Sequence, residues 1–505
     1  MIYNVLQYLE KNAYEQPDRV ALVDDDESVT YRQYMEYARH IGAYIAGYGD
    51  KADSIGTGRP IAVLIDRNIR TIYTFMGIVY SGNFYVPIDP TMPEERVGLI
   101  LSTLKPALVL NATDSADEKY GSIAVTDILA DASERGCADI LRAIRDNMID
   151  TDPLYTIFTS GSTGVPKGVC VAHRSMLDLV SSFEDAFSFD EGTVFGNQAP
   201  FDFDVSAKDI YNALYCCGTV RVIPKKYFKS PVMLVQFLND SGIDTLIWAV
   251  SALRIISDFK ALDKAEAPKL KNIMFSGEVM PVKALNYLRE HITDARYVNL
   301  YGPTEITCNC TYYIVDRDFA LGEQLPVGKA FRNTRVLIRD EKGQIITTQN
   351  VIGEICVCGT CVSLGYWNNR PKTDEAYVQT CGITEYPDRM YATGDLGFYD
   401  ANGDIVFASR KDSQIKHMGH RIELGEIEVA LNALDMITIA CCIYDNVNEK
   451  IICFYQSEEE CKKEIVAELS KKLPKYMWPN VYKHYETLPL NKNGKIDRVA
   501  LKKEI

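Results

Sequence analysis

Histidine is scarce in this chain, with six residues in 505, and so is basic charge: 54 Lys and Arg stand against 69 Asp and Glu, a formal net charge of -15. That balance excludes nucleic acid and an anionic membrane as the main partner, although a nucleotide needs only a local basic site. The Lys-rich end, Lys471 to Lys503, is a local exception. No apolar run is long enough to span a bilayer, so no membrane insertion is expected. The opening stretch MIYNVLQYLEKNAYEQPDR has neither a basic n-region nor an apolar core, so it does not read as a signal peptide. Repeats and low-complexity tracts are missing too. The 14 Cys are then expected as reduced thiols of a cytoplasmic protein. Cys356, Cys358 and Cys361 in EICVCGTC form a C-x-x-C, but a zinc site needs a second pair or nearby His. With so few His and none close by, these read as core thiols on a strand.

What is present fits a large globular chain. Hydrophobic content is 47% and charged content 24%. The length predicts two to four units of ~100–200 residues. YRQYMEYARHIGAYIAGYG has helical periodicity and ends at Gly; PIAVLI is a short buried run; TIYTFMGIVYSG is helical again. FYVPIDP, ALVLNA, SIAVTD, TLIWAV and NIMFSG read as further strands. This alternation predicts mostly parallel sheet covered by helices. From about Val327 to Phe407 shorter β-like runs with Gly turns predict an antiparallel or barrel-like section. After Ser409, IELGEIEVALNAL, IACCIY and KIICFYQ predict a small separate α+β domain.

One loop carries chemistry. TSGSTGVPKG, Thr159 to Gly168, follows an apolar run. Gly161, Gly164 and Gly168 allow sharp turns and close approach of backbone to a ligand. Ser160, Ser162 and Thr163 supply hydroxyls and Lys167 a positive charge, a set suited to phosphate oxygens. The pattern is not G-x-x-x-x-G-K-[ST], because Lys167 follows Pro166 and precedes Gly168.

This loop is followed in order by NLYGPTE (Asn299–Glu305), YATGDL (Tyr391–Leu396), SRKDSQIKHMGHRIELGEIE (Ser409–Glu428), LPKYMWP (Leu473–Pro479) and NGKIDR (Asn493–Arg498). VTYRQY and GNFYVPIDP lie upstream, with FDFDVS in the middle. Over nearly its whole length the chain resembles the adenylate-forming superfamily. Within that superfamily it resembles the amino-acid adenylation domains of nonribosomal peptide synthetases and the free-standing D-alanine–carrier protein ligases. The resemblance implies an α/β fold: a large N-terminal domain of mostly parallel sheets flanked by helices plus a β-barrel-like section, residues 1–411. A small mobile α+β domain, residues 412–505, would swing about a hinge near Asp412. It also implies two half-reactions. A carboxylate attacks the α-phosphate of ATP, giving an acyl-adenylate and pyrophosphate. The phosphopantetheine thiol of a carrier protein then takes the acyl group.

By the same resemblance, Thr159, Ser160, Gly161, Ser162, Thr163, Gly164 and Lys167 hold the departing phosphates. Asn299, Leu300, Tyr301, Gly302 and Pro303 belong to the nucleotide site, with Tyr301 offering a face to adenine. Thr304 meets the α-phosphate and Glu305 ligates Mg²⁺, a cation that favours carboxylate and phosphate oxygens. Asp395 accepts from the ribose diol and Arg410 adds a donor there. Lys495 bridges the reacting carboxylate and the α-phosphate as the transition state forms. The chain departs from the family pattern at Ser409 and at His417-Met418, which bears on thiol access.

Asp204, in Phe-Asp-Val-Ser, is the expected partner of a substrate ammonium, while Asp202 reads as a turn residue. The pocket positions are Val205, Lys208, Trp248, Met274, Ser276, Leu300, Cys308 and Asn309. Bulky Trp248 and Met274 favour a small amino acid such as D-alanine. Lys208 either pairs with a substrate carboxylate, as in Asp or Glu, or reaches out to solvent. Since no carrier domain follows Lys495, the carrier is expected to be a separate protein, unless the chain is part of a larger synthetase. The protein itself is expected to be a monomer. The competing readings are an acyl- or aryl-CoA ligase of the same superfamily, and a catalytically inactive nucleotide-binding protein on this fold.

Overall fold

The computed structural model describes residues 2–47, 55–115, 119–131, 138–161, 164–411, 414–490 and 496–505. Four of the described helices begin on a side-chain cap. The helix Tyr31–Ala46 opens on a capping box, in which Thr30 accepts from the Gln33 N–H and Gln33 accepts from the Thr30 N–H. It buries Tyr34, Ala38, Ile41 and Ile45, spaced to one face, and stops at Gly47. The helix Ile69–Tyr80 packs against it through two glycines. A Cβ on Gly77 would lie 2.6 Å from Ile41 Cβ, and one on Gly42 would lie 2.6 Å from Tyr80 Cβ. No other residue permits that approach.

Among the described residues the first large sheet has nine strands. Its order is Lys329–Ala330, Thr311–Ile314, Arg296–Tyr301, Asn272–Ser276, Thr245–Ala249, Val194–Asn197, Thr219–Val222, Val20–Val23 and Ser28–Thr30. The six strands from Arg296–Tyr301 to Val20–Val23 pair in parallel, and the outer strands are antiparallel. One face carries Ile247, Met274, Val298 and Leu300, and the other carries Leu246, Trp248, Ile273 and Phe275 in a separate core. A second sheet has seven strands, with Pro60–Leu64 and Phe84–Ile88 buried along their whole length at its centre.

The section that the sequence marks as antiparallel forms a six-stranded sheet built on Thr334–Arg339, Gly353–Gly359 and Arg389–Tyr399. Cys356 and Cys358 are buried there against Met390. All thirteen described cysteines are free thiols. SIAVTD is strand only at Ile123–Ala124 and turns helical at Val125–Ala130, with Val125 and Ile128 facing inward at helical rather than strand spacing.

The chain divides into two compact units. The first comprises Met1–Asp89, Lys105–Ile157 and Val169–Ser409; the second comprises Pro90–Leu104, Phe158–Gly168 and Arg410–Ile505. In the second, a three-stranded sheet of Ile439–Asp445, Lys450–Gln456 and Val481–Tyr485 is covered by the helices Leu424–Asn432 and Lys462–Lys472. A hairpin, Gln414–His417 with His420–Glu423, turns through Met418 and Gly419 at φ 53° and 81°. Two successive positive φ values are those of a type I′ turn. No helix among the described residues is long and apolar enough to cross a membrane.

Candidate active site

In the first unit the chemistry-bearing side chains gather at the carboxyl ends of parallel strands, where an open α/β sheet leaves room for a ligand. The helix Val205–Cys216 starts directly after Asp204, and Ser206 Oγ donates to Phe203 O at its first turn. Asp204 and Val205 are half-buried, and Lys208 is 1% exposed. The Lys208 ammonium therefore does not reach solvent. It donates to Ser276 Oγ at 3.1 Å and to Asn309 Oδ1 at 3.0 Å. Cys308 Sγ donates to the Asp204 carbonyl at 3.1 Å, which ties the 308–309 segment to the same helix.

That segment is held in unusual backbone. Thr307 and Cys308 have φ of 60° and 70°, a conformation that costs non-glycine residues about 1–2 kcal/mol each. Gly302 is what lets it approach: a Cβ there would lie 2.7 Å from Asn309 Cα and 2.7 Å from Cys308 O.

Strand register sorts the residues expected to line the pocket. Ala249 pairs with Ser276, and Ser276 with Leu300; Ile247 pairs with Met274. Side chains alternate faces along a strand, so Ala249 shares the face of Met274, Ser276 and Leu300. Trp248 does not join them. It pairs with Phe275, is fully buried in the opposite core beside Phe228, and donates its indole N–H to Gly196 O at 2.6 Å. The sequence assignment is thus off by one residue, and half-buried Ala249 takes the place of Trp248. Asn299 is likewise in register with Phe275, and its amide donates to Pro326 O at 2.8 Å.

The turn after Arg296–Tyr301 carries Pro303, half-buried Thr304 and buried Glu305, which Thr304–Ile306 holds in a single 3₁₀ turn. Tyr366 Oη donates to Glu305 Oε1 at 2.8 Å. Tyr301 Oη donates to Asp395 Oδ2 at 2.6 Å, with the Asp395 N–H on Thr393 Oγ1 at 3.0 Å. Burial, with the Asp395 charge second, pushes the Tyr301 phenol far up, so Tyr301 stays a neutral donor. Burial also pushes the Cys308 thiol far above its usual range, with Asp204 adding to the effect. Asp209, next to Lys208, is raised to about 7 by burial, against a hydrogen bond from Asn197 and the charges of Lys208 and Arg67.

The second unit holds the Gly-rich loop. A Cβ on Gly161 would lie 2.0 Å from Val165 O, so the loop closes only with glycine there. Gly164 N–H donates to Gly161 O at 3.0 Å, and Thr159 Oγ1 to Lys167 O at 3.4 Å. The loop's donors meet oxygens of the carboxy-terminal segment. Gly161 N–H donates to Glu426 Oε2 at 3.2 Å, Ser160 Oγ donates to Arg421 O at 2.8 Å, and Lys167 Nζ lies 3.9 Å from Glu423 Oε1. Buried Arg96 pairs with the other oxygen of Glu426. Arg410 ends the strand Ile405–Arg410. Ser162, Thr163, Asp412 and Lys495 lie outside the described residues.

Ala249, Tyr366 and Arg96 escape a reading of motifs, as does the contact that Glu426, inside the motif Ser409–Glu428, makes with Gly161. Ala249 was within reach, since alternation in TLIWAV against NIMFSG decides it. Tyr366, Arg96 and Glu426 act across 61 to 330 residues of sequence separation, with no local signal.

Residues 9–367 match the family described as AMP-binding enzyme. The chain is 32% identical to bacitracin synthase 1 of Bacillus licheniformis over 98% of its own length, and spans only 9% of that protein. It is 31% identical to the D-alanine–D-alanyl carrier protein ligase of Bacillus licheniformis, covering 99% of both chains. A solved structure of a holo NRPS protein containing adenylation and PCP domains, bound to a vinylsulfonamide inhibitor, superposes with a TM-score of 0.85. It is 25% identical and is matched over 100% of this chain and 84% of that one.

Proposed function

The chain belongs to the AMP-binding enzyme family, and from that premise we propose that it activates an amino acid with ATP and passes it to a carrier protein. A carboxylate oxygen of the amino acid attacks the α-phosphorus. The bond from that phosphorus to the bridging oxygen breaks, and pyrophosphate leaves. The phosphopantetheine thiolate then attacks the carbonyl carbon of the aminoacyl-AMP, and the bond to AMP breaks.

The carrying observation is the gathering of Asp204, Lys208, Ser276 and Asn309 beside the turn that holds Thr304 and Glu305. Asp204 takes the substrate ammonium, and Thr304 donates to the α-phosphate. The Tyr301 ring stacks on adenine and helps set Asp395 for the ribose hydroxyls, with Arg410 adding a donor. Lys495 stabilises charge between the carboxylate and the α-phosphate. The loop from Thr159 to Lys167 takes the β- and γ-phosphates. Its fit to that task is supported by Gly161 N–H, which already serves an anionic oxygen of Glu426. Glu305 fits a Mg²⁺ ion: this cation needs one or two carboxylates and takes the rest of its shell from phosphate and water. Tyr366 orients that carboxylate. Mg²⁺, when bound, neutralises charge on the phosphates.

Residues 412–505 act as a mobile domain on residues 1–411 about a hinge at Asp412. The protein works as a monomer in the cytoplasm, and its acidic charge disfavours a nucleic-acid partner.

The test is amino-acid-dependent exchange of labelled pyrophosphate into ATP. Asp204→Ala is expected to lower kcat/KM for the amino acid at least ~100-fold, by analogy with other sites that read a polar group. Lys495→Ala is expected to abolish exchange while ATP binding largely survives. Unchanged kinetics in Asp204→Ala would remove the ammonium assignment. AMP release that depends on CoA rather than on a carrier would favour a CoA ligase instead.

A further inference from the structure

The first unit gathers several hydrogen-bond donors around Lys208. Lys208 Nζ donates to Asn309 Oδ1, and this bond fixes the orientation of the amide. The other end of that amide, Asn309 Nδ2, is buried and meets no acceptor, although the residue is only 2% exposed. Ser276 Oγ accepts from Lys208, so its own proton is left to donate. A Lys ammonium, an amide N–H and a hydroxyl thus lie within one hydrogen-bonded cluster. A buried donor left unmet is destabilising, so a substrate acceptor that reaches it gains affinity.

Resting on the adenylation reading, we infer that the activated amino acid carries a second carboxylate at the end of its side chain, bound by Lys208, Asn309 and Ser276. The chemical class is that of aspartate and glutamate. Spacing agrees with charge. Asp204 and Lys208 are four residues apart at the start of one helix, which brings their Cβ atoms to about 5–6 Å on one face. A negative reader for the ammonium and a positive reader for the far carboxylate at that separation suit a short diacid. Ala249, in register with Ser276, puts a small side chain on the same face. A methyl side chain would leave Asn309 Nδ2 unmet. A site that hydrogen-bonds a substrate group rejects analogues lacking it by up to 10⁴–10⁵-fold.

The experiment is pyrophosphate exchange by the wild-type protein with D- and L-aspartate, glutamate, asparagine, glutamine, alanine and serine, each alone. Aspartate or glutamate is expected to exceed alanine by at least ~100-fold in kcat/KM. Lys208→Met is expected to cut the ratio of acidic to neutral substrate by a similar factor while KM for ATP stays within about threefold, the separation of a pocket effect from a general one. Robust exchange led by alanine or serine would overturn the inference and leave adenylation standing, and asparagine or glutamine in the lead would overturn the carboxylate. Exchange with none of the twelve, with labelled ATP still bound, would overturn the amino-acid reading and this inference together. The wild-type ranking decides even if Lys208→Met does not fold.

Discussion

Asp209 shows how one buried residue next to Lys208 sets a pH response. Its carboxyl is raised to about 7 in the fold, and burial is the leading cause. An acid whose folded value lies above its unfolded one holds a proton longer when folded. Its contribution is full below the unfolded value near 3.9 and is lost as pH rises towards 7. Asp209→Asn keeps an acceptor for the Asn197 amide, now bonded to Asp209 Oδ2 at 3.0 Å, and removes the ionisation. The variant is expected to gain stability over the wild type with rising pH, to a limit on the order of 4 kcal/mol above pH 8. Urea unfolding of both proteins at pH 5.5 and 8 measures it, and an equal difference at the two values would show that Asp209 does not titrate there. The type of residue at 209 is legible in the sequence, but its burial is not. Asp202 and Asp204 are a few residues away, and only the helix turn decides which carboxylate faces the core.

At the scale of elements, the helices Glu94–Leu104 and Leu424–Asn432 of the second unit are joined by a buried charge pair. Arg96 and Glu426 have side chains 6% and 1% exposed. Removing one partner of such a pair leaves the other charge buried and costs about 3–5 kcal/mol, whereas an apolar replacement of both is close to neutral. Glu426→Ala is therefore expected to destabilise the protein by that amount, and Arg96→Met with Glu426→Leu to recover most of it. Thermal and urea unfolding check both variants; a double variant no better than the single would mean that packing of Glu426, not its charge, is what Arg96 needs. The strands tell a related story. TLIWAV and NIMFSG are strands as their apolar runs require, but which side chains share the face of Ser276 follows from register, and register is a property of the paired sheet.

For the whole molecule, the two units have separate apolar cores. Large proteins with more than one core commonly unfold in more than one step. Trp248 and Trp367 belong to the first unit and Trp478 to the second, and the chain has only three Trp. With 5-fluorotryptophan incorporated, each gives a ¹⁹F resonance. In a urea titration the native Trp478 signal is expected to disappear at a midpoint different from that of Trp248. Coincident loss of all three would show one cooperative transition.

The sequence by itself determined the α/β alternation and the order of the motifs, because these depend on local properties, while the reaction and the roles of the site residues followed from the resemblance those motifs carry. Hydrophobic period sets helix or strand, glycine sets where a loop closes, and a carboxylate or ammonium keeps its charge type wherever it lands. Tertiary structure alone decided that Lys208 turns inward, that Ala249 rather than Trp248 shares the face of Ser276 and Leu300, and that Gly161 meets Glu426. Each of those depends on residues distant in the chain. A Lys at the start of a helix has the same local pattern whether Ser276 and Asn309 wait to receive it or water does. Only the packing of the helix on the sheet removes the water.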